Sequence, residues 1–240
     1  METERKLVEY ICESNFKDIP PEPSGVIKNM VLTVLGTTIA GARAEGCEQL
    51  VNLYRGSGGA AEATILNYGG KIPAENAALV NGVMARALDF CDAVEPGLHI
   101  GDNLRVNAQF SLQYCVANAL IRKSSKLHHF EESSVRDPDI LPLAQKVRVI
   151  ADPALNARGH TALDMQVFTT AGDTYLKKMD IAPGFPGNPL TQAEHEARFW
   201  DCVNFAARPV EKQAAEKIIS LVTRLEQLED IRILIPLIGS

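Results

Sequence analysis

Apolar positions recur every three or four residues along most of the chain, and that period predicts helices. The first covers residues 3–15, with Leu7, Val8, Tyr10 and Ile11 on its apolar side. The stretch Asp18-Ile-Pro-Pro-Glu-Pro should end it, because prolines lack a backbone donor and restrict the residues before them. Ser24 is placed to cap a helix over 25–41. Within that helix Gly36, Thr37, Ala40 and Gly41 permit close approach of a neighbour, at some cost in helix propensity. A short helix over Cys47–Arg55 and a Gly56-Ser-Gly-Gly loop follow, then an extended piece at Ala63–Leu66. From Pro73, suited to an opening turn, Ala77, Val80, Val83, Met84, Ala87 and Leu88 form the stripe of another helix, which brings Asp89 to its C-terminal end.

Beyond Gly101 the pattern changes. Residues 107–121 read as a helix with Phe110, Tyr114, Ala117 and Leu120/Ile121 on one side, and a second helix should run to Ala144 with Asp137 as its cap. Alternation at Lys146–Ile150 marks a strand, and Ala162–Thr170 with Thr174–Met179 reads as a β-hairpin. Thr191 and Glu194 have capping-box spacing. Helices near 192–207 and 210–227, the second striped with Ile218, Ile219, Val222 and Leu225, lead to a short apolar helix at Ile231–Ile238. The expected fold class is mainly α with an inserted α+β section. The expected domains are an N-terminal helical part at 1–101, a small α/β lid-like domain at 102–187, and C-terminal helices at 188–240 that pack back on the first part.

Composition narrows the class. The 240 residues are 46% hydrophobic and 22% charged, with a net charge of −6. That balance fits a soluble globular protein and gives no expectation of binding to nucleic acid or to an anionic membrane. Cysteines at 12, 47, 91, 115 and 202 show no metal-finger spacing, which fits reduced thiols in a cytoplasmic protein. Residues 1–20 contain no apolar signal-peptide core, and the apolar stretch from Val26 to Ala42 is interrupted by Lys28 and Asn29.

The candidate chemistry lies at 79–101. A carboxylate at a helix C-terminus, as at Asp89, is disfavoured by the helix dipole. The loop after it contains Asp92 and Glu95 and delivers His99, so an acid and an imidazole ten residues apart are available for proton transfer. The plainer alternative is a helix stop followed by a solvated acidic loop. No G-K-[ST] follows the glycines at 56–59, so they read as a loop and not a phosphate cradle. Adjacent His128 and His129 rarely aim at one point, so they read as part of a solvated loop and no metal is expected.

Residues Ala87-Leu-Asp-Phe-Cys-Asp…Leu98-His-Ile-Gly resemble the A-L-D-F-D-D…L-H-P-G signature of the MmgE/PrpD family, with Cys91 and Ile100 as departures. Leu32-Thr-Val-Leu-Gly…Ala-Gly resembles the family's L-D-T-L-G-x-x-x-A-G, with Thr33 in place of Asp. Similarity continues through R-V-N-A-Q-F-S-L-Q-Y, D-P…L-A-Q-K-V-R-V and G-F-P-G-N-P-L-T. The family includes 2-methylcitrate dehydratases, cis-aconitate decarboxylases and iminodisuccinate epimerases. The resemblance implies a metal-independent, cofactor-free lyase acting on a small di- or tricarboxylate, in a homodimer.

By the same resemblance His99 is the proton-transfer group, and Asp89 orients it or accepts a proton. Tyr114 donates a hydrogen bond to substrate, and Arg105 attracts a carboxylate. The plain alternatives are a core tyrosine with a tethered hydroxyl and a surface arginine. Family members are longer. Here Gly101 runs straight into Asp102-Asn-Leu-Arg, so the middle segment, which should hold a lysine and further histidines of the site, is absent. Lys71 and Lys123 are available but do not obviously replace that lysine. The missing helices would also leave apolar faces uncovered, so the chain repacks, pairs with another chain, or folds poorly. The alternatives to a dehydratase are a decarboxylase or epimerase of the same family, and a non-catalytic shortened derivative that only associates.

Overall fold

The computed structural model describes residues 2–88 and 103–238. In chain order the helices begin with α1 (Glu2–Glu13), α2 (Pro21–Gly41) and α3 (Cys47–Gly56). Strands β1 (Ala63–Thr64) and β2 (Lys71–Ile72) pair antiparallel and lead to α4 (Ala74–Arg86). Next come α5 (Leu104–Phe110), α6 (Leu112–Arg122), α7 (Glu132–Val135) and α8 (Ile140–Ala144), then the hairpin of β3 (Leu163–Phe168) and β4 (Thr174–Met179). The chain returns to helix with α9 (Gln192–Asn204), α10 (Lys212–Thr223) and α11 (Ile235–Ile238). The fold is therefore mainly α, with a small α+β section between the helices. Two units result, Met1–Phe90 with His195–Ser240, and Cys91–Glu194.

The first unit is built on α2. The first N–H groups of a helix have no intrahelical partner, so proline is tolerated there. Pro21 and Pro23 occupy that turn, which corrects the expected start: Ser24 lies inside the first turn and caps nothing. Farther along, Gly36 and Gly41 remove side chains where neighbours press in. A Cβ added at Gly41 would sit 1.8 Å from the Met84 carbonyl oxygen of α4, and one at Gly36 would sit 3.1 Å from the Phe199 ring of α9. The buried Thr38 hydroxyl donates to the Val34 carbonyl (2.7 Å), which satisfies its polar atom within the helix. Leu32 and Ile39 then join Phe199, Ile218, Val222 and Ile238 in one apolar core.

Two polar clamps close this unit. Asn81 of α4 accepts from the Leu66 N–H (2.9 Å) and donates to the Thr64 carbonyl (3.0 Å), tying the β1 end to the helix. Asn67, buried and left-handed (φ 62°), exchanges two hydrogen bonds with the backbone of Arg208, at 3.1 and 3.2 Å. Its own N–H donates to the Ile238 carbonyl (3.1 Å). A short polar side chain tolerates this conformation, and Asn is enriched in it.

Several expected details change. On α4 the buried stripe is Ala77, Val80, Met84 and, just past the helix, Leu88; Val83 and Ala87 are exposed. The helix expected over 107–121 is two, because Ser111 takes extended dihedrals (φ −83°, ψ 113°) and its hydroxyl accepts from the Tyr114 N–H (3.2 Å). Serine competes with the helical backbone in this way and favours caps over interiors. The expected helix at 137–144 shortens to α8. Lys146–Ile150 forms no strand, since no neighbouring strand supplies a ladder, and Ile150 is exposed. The hairpin forms as read, and Thr191 and Glu194 exchange reciprocal capping bonds at 2.7 and 3.3 Å. The apolar side of α1 is uncovered.

The α2–α4 crossing gives a direct test. Gly41→Ala should cost roughly 3 kcal/mol, the upper range for overpacking. Gly82→Ala, at an open position of α4, should instead stabilise by up to about 1 kcal/mol. Urea-unfolding midpoints of the full chain check both, and a Gly41→Ala protein as stable as wild type would refute the crossing.

Candidate functional site

Asp89 and His99 lie outside the described residues. Arg105 is half-buried in the first turn of α5, whose cap is Asn103: its Oδ1 accepts from the Val106 N–H (3.2 Å). Tyr114 stands in the first turn of α6 and is fully buried. Its hydroxyl donates to the His129 carbonyl at 2.5 Å. Burial pushes the phenol above its ordinary value, against a smaller lowering by Arg122, so it stays protonated. In this arrangement the hydroxyl is a tether within the second unit.

The polar centre of that unit is Arg122, which the sequence reading did not single out. Its guanidinium donates to Asn118 Oδ1, the Ser134 carbonyl and Asp137 Oδ2, each at 2.9 Å. The His129 carbonyl (3.4 Å) and the Tyr114 hydroxyl (3.5 Å) lie at its edge. Asp137 accepts from the Asp139 N–H on its other oxygen (3.0 Å), so its role is that of a turn anchor and not of a helix cap. That backbone bond first, then the Arg122 hydrogen bond, holds the Asp137 carboxyl below the usual carboxylate range. The Asn118–Arg122 spacing of four was the one visible signal, since it places both on one helix face.

His129 is buried, which corrects the expectation of a solvated loop; His128 is exposed. His129 Nδ1 accepts from the Lys126 N–H (3.1 Å), which assigns the neutral ring's proton to Nε2. Among the described residues no group of three or more His, Cys, Asp or Glu side chains is placed to hold a metal. The buried Cys202 and half-buried Cys115 thiols are poor nucleophiles, because desolvation pushes Cys202 up to about 12 and Cys115 up to about 11. No described helix is long and apolar enough to cross a membrane.

An open cleft of about 530 Å³ lies in the first unit, where Arg43, Glu45, Glu48 and Tyr68 meet Ala206. Tyr68 donates to the Ala42 carbonyl (2.8 Å), and its own carbonyl accepts from Arg55 and Arg208 (2.8 Å each). One arginine against two glutamates is a poor field for a polycarboxylate.

Comparison with protein families matches residues 5–104 to the MmgE/PrpD N-terminal domain and residues 83–227 to the MmgE/PrpD C-terminal domain. A search of curated proteins finds no match.

The Arg122 centre has a pH signature. A carboxyl held low in the fold stabilises above its unfolded pKa, and that contribution is lost as pH falls through the lowered value. Asp137→Asn should therefore destabilise the chain at pH 7, with the gap to wild type closing below about pH 4. Tyr114→Phe should cost about 1 kcal/mol with no such pH dependence. Thermal melts between neutral and acid pH check both.

Proposed function

The chain belongs to the MmgE/PrpD family, and from that premise we propose that it is a shortened lyase of the 2-methylcitrate dehydratase type. In this reading it takes no metal and no cofactor, and it moves a proton beside a carboxylate of a small di- or tricarboxylate. Such a carbon acid is weak, so a positioned base and cationic stabilisation of the enolate-like charge are both required. His99 removes the proton from carbon, and Asp89 orients the imidazole or takes the proton itself. Arg105, six residues after His99, attracts a substrate carboxylate. Tyr114 contributes a substrate hydrogen bond only on releasing the His129 carbonyl. The cytoplasm and a homodimer complete the reading.

One observation carries it. The two family matches overlap over residues 83–104, so Asp89 and His99 fall within both. A decarboxylase or epimerase would use the same proton step and differ in what leaves or returns. A non-catalytic derivative is the second reading. It is favoured by the engagement of the Tyr114 hydroxyl within its own unit and by the absence of an evident replacement for the family's site lysine.

Turnover of 2-methylcitrate or cis-aconitate by this chain should be weak, and His99→Ala and Asp89→Asn should each abolish what is present. Residual activity untouched by His99→Ala would defeat the assignment. Complete inactivity would favour the non-catalytic reading, and robust turnover lost in His99→Ala would show a full site despite the shortening.

A further inference from the structure

Two bonds hold the backbone of Lys126 at the head of the short turn Leu127–Phe130. Its carbonyl accepts from the His129 N–H (3.0 Å), and its own N–H donates to His129 Nδ1 (3.1 Å). The second bond makes the imidazole part of the turn's framework, and only 7% of His129 is exposed. The carbonyl of the same residue accepts from the Tyr114 hydroxyl. One residue therefore fixes the turn with its ring and tethers the tyrosine with its backbone.

The place at Nδ1 accepts only an unprotonated nitrogen. A neutral imidazole has one accepting nitrogen, whereas the imidazolium has none and carries N–H on both. A proton taken from solvent at Nδ1 would face the Lys126 N–H, donor against donor across 3.1 Å. Three helices meet this turn. α5 brings Arg105, α6 brings Tyr114, Cys115 and Arg122, and α7 brings Glu132. The turn and its flanks carry Lys126, His128 and Glu131, and the exposed His128 ring stands edge-on to His129 with centroids 4.3 Å apart. Glu132 is already engaged by Arg136 and Asp137 by Arg122, each at 2.9 Å. A cation added to a buried ring beside Arg122 is costly, and the ring relieves that cost by leaving for solvent.

We propose that His129 is an acid-operated latch on Tyr114. Protonation drives the imidazole from its seat, the turn at 126–130 opens, and the Tyr114 hydroxyl loses the carbonyl that tethers it. That release falls in the range where imidazole titrates and is separate from the carboxylate titration of Asp137. The freed hydroxyl keeps its proton and becomes a donor for a substrate carboxylate. This consequence rests on the preceding reading of Tyr114 as a substrate hydrogen-bond donor, whereas the latch itself stands on the geometry of His129.

Nuclear magnetic resonance of the full chain, with labelled histidine and tyrosine rings and backbone amides, tests it between about pH 8 and about pH 5, which spans imidazole titration. In wild type the His129 ring, the Lys126 amide and the Tyr114 ring should shift with one common midpoint while circular dichroism is retained. His129→Gln, whose amide oxygen accepts from Lys126 but does not titrate, should hold the Lys126 and Tyr114 signals fixed over that range. His128→Gln should leave the coupled shift in place. A His129 ring that stays neutral throughout, or that titrates without moving Tyr114, overturns the latch on wild type alone. So does a loss of circular dichroism at the same midpoint, and so does a shift that survives in His129→Gln or vanishes in folded His128→Gln. A coupled shift together with turnover of 2-methylcitrate that Tyr114→Phe leaves unchanged would keep the latch and defeat the substrate role of Tyr114.

Discussion

The first unit depends on two helix backbones meeting without a side chain between them. At Gly41 the path of α2 lies against the Met84 carbonyl, where even a methyl group has no room. Gly36, inside the helix, lowers the helix propensity of α2 by about 1 kcal/mol relative to alanine, and Gly41 is its last residue. The return is close contact along both sides, with α4 at one glycine and α9 at the other, while Ile39 between them is fully buried. Interiors are close-packed, so such a seam sets how closely its neighbours approach.

The second unit is held in a different way. Its apolar cluster is small, centred on Tyr114, Val135 and Ile140, and Arg122 gathers the polar ends of the segments around it. The Ser134 carbonyl, at the end of a short turn, accepts from Arg122, and the His129 carbonyl accepts from Tyr114, so buried acceptors of both turns are paired. A guanidinium suits this work because its five donors lie in a fixed plane and its charge does not titrate. Tyr114 belongs to the same arrangement, and its local role as a tether is the one the geometry displays.

What was legible in the sequence was what is decided locally. The capping pair Thr191 and Glu194, the hairpin ending at Met179 and the small residues of α2 each carry their cause within a few positions. What was misread depends on residues far away or on a local tie. Lys146–Ile150 has strand alternation, but a strand exists only with a partner to bond. Pro20 to Pro23 serve equally as a stop or a start, and Ser111 sits as well at a cap as in a helix. The Arg122 centre joins α6 to Asp137, 15 residues on, and to two carbonyls that no side-chain pattern announces. Of the candidate site, the motif around Asp89 and His99 was legible as a family likeness, whereas the burial of Tyr114 required its neighbours in space.

The Asn67 clamp sets an order of events during synthesis. Its partners, Arg208 and the Ile238 carbonyl, lie 141 residues onward and at the last described position. While the chain is emerging from the ribosome, the N-terminal helices therefore wait for residues 195–238 before their unit can close. The unit between, contiguous in sequence, is free to form during that wait. Nascent chains halted anywhere before α9 would leave the glycine seam of α2 half lined and its apolar residues available to chaperones.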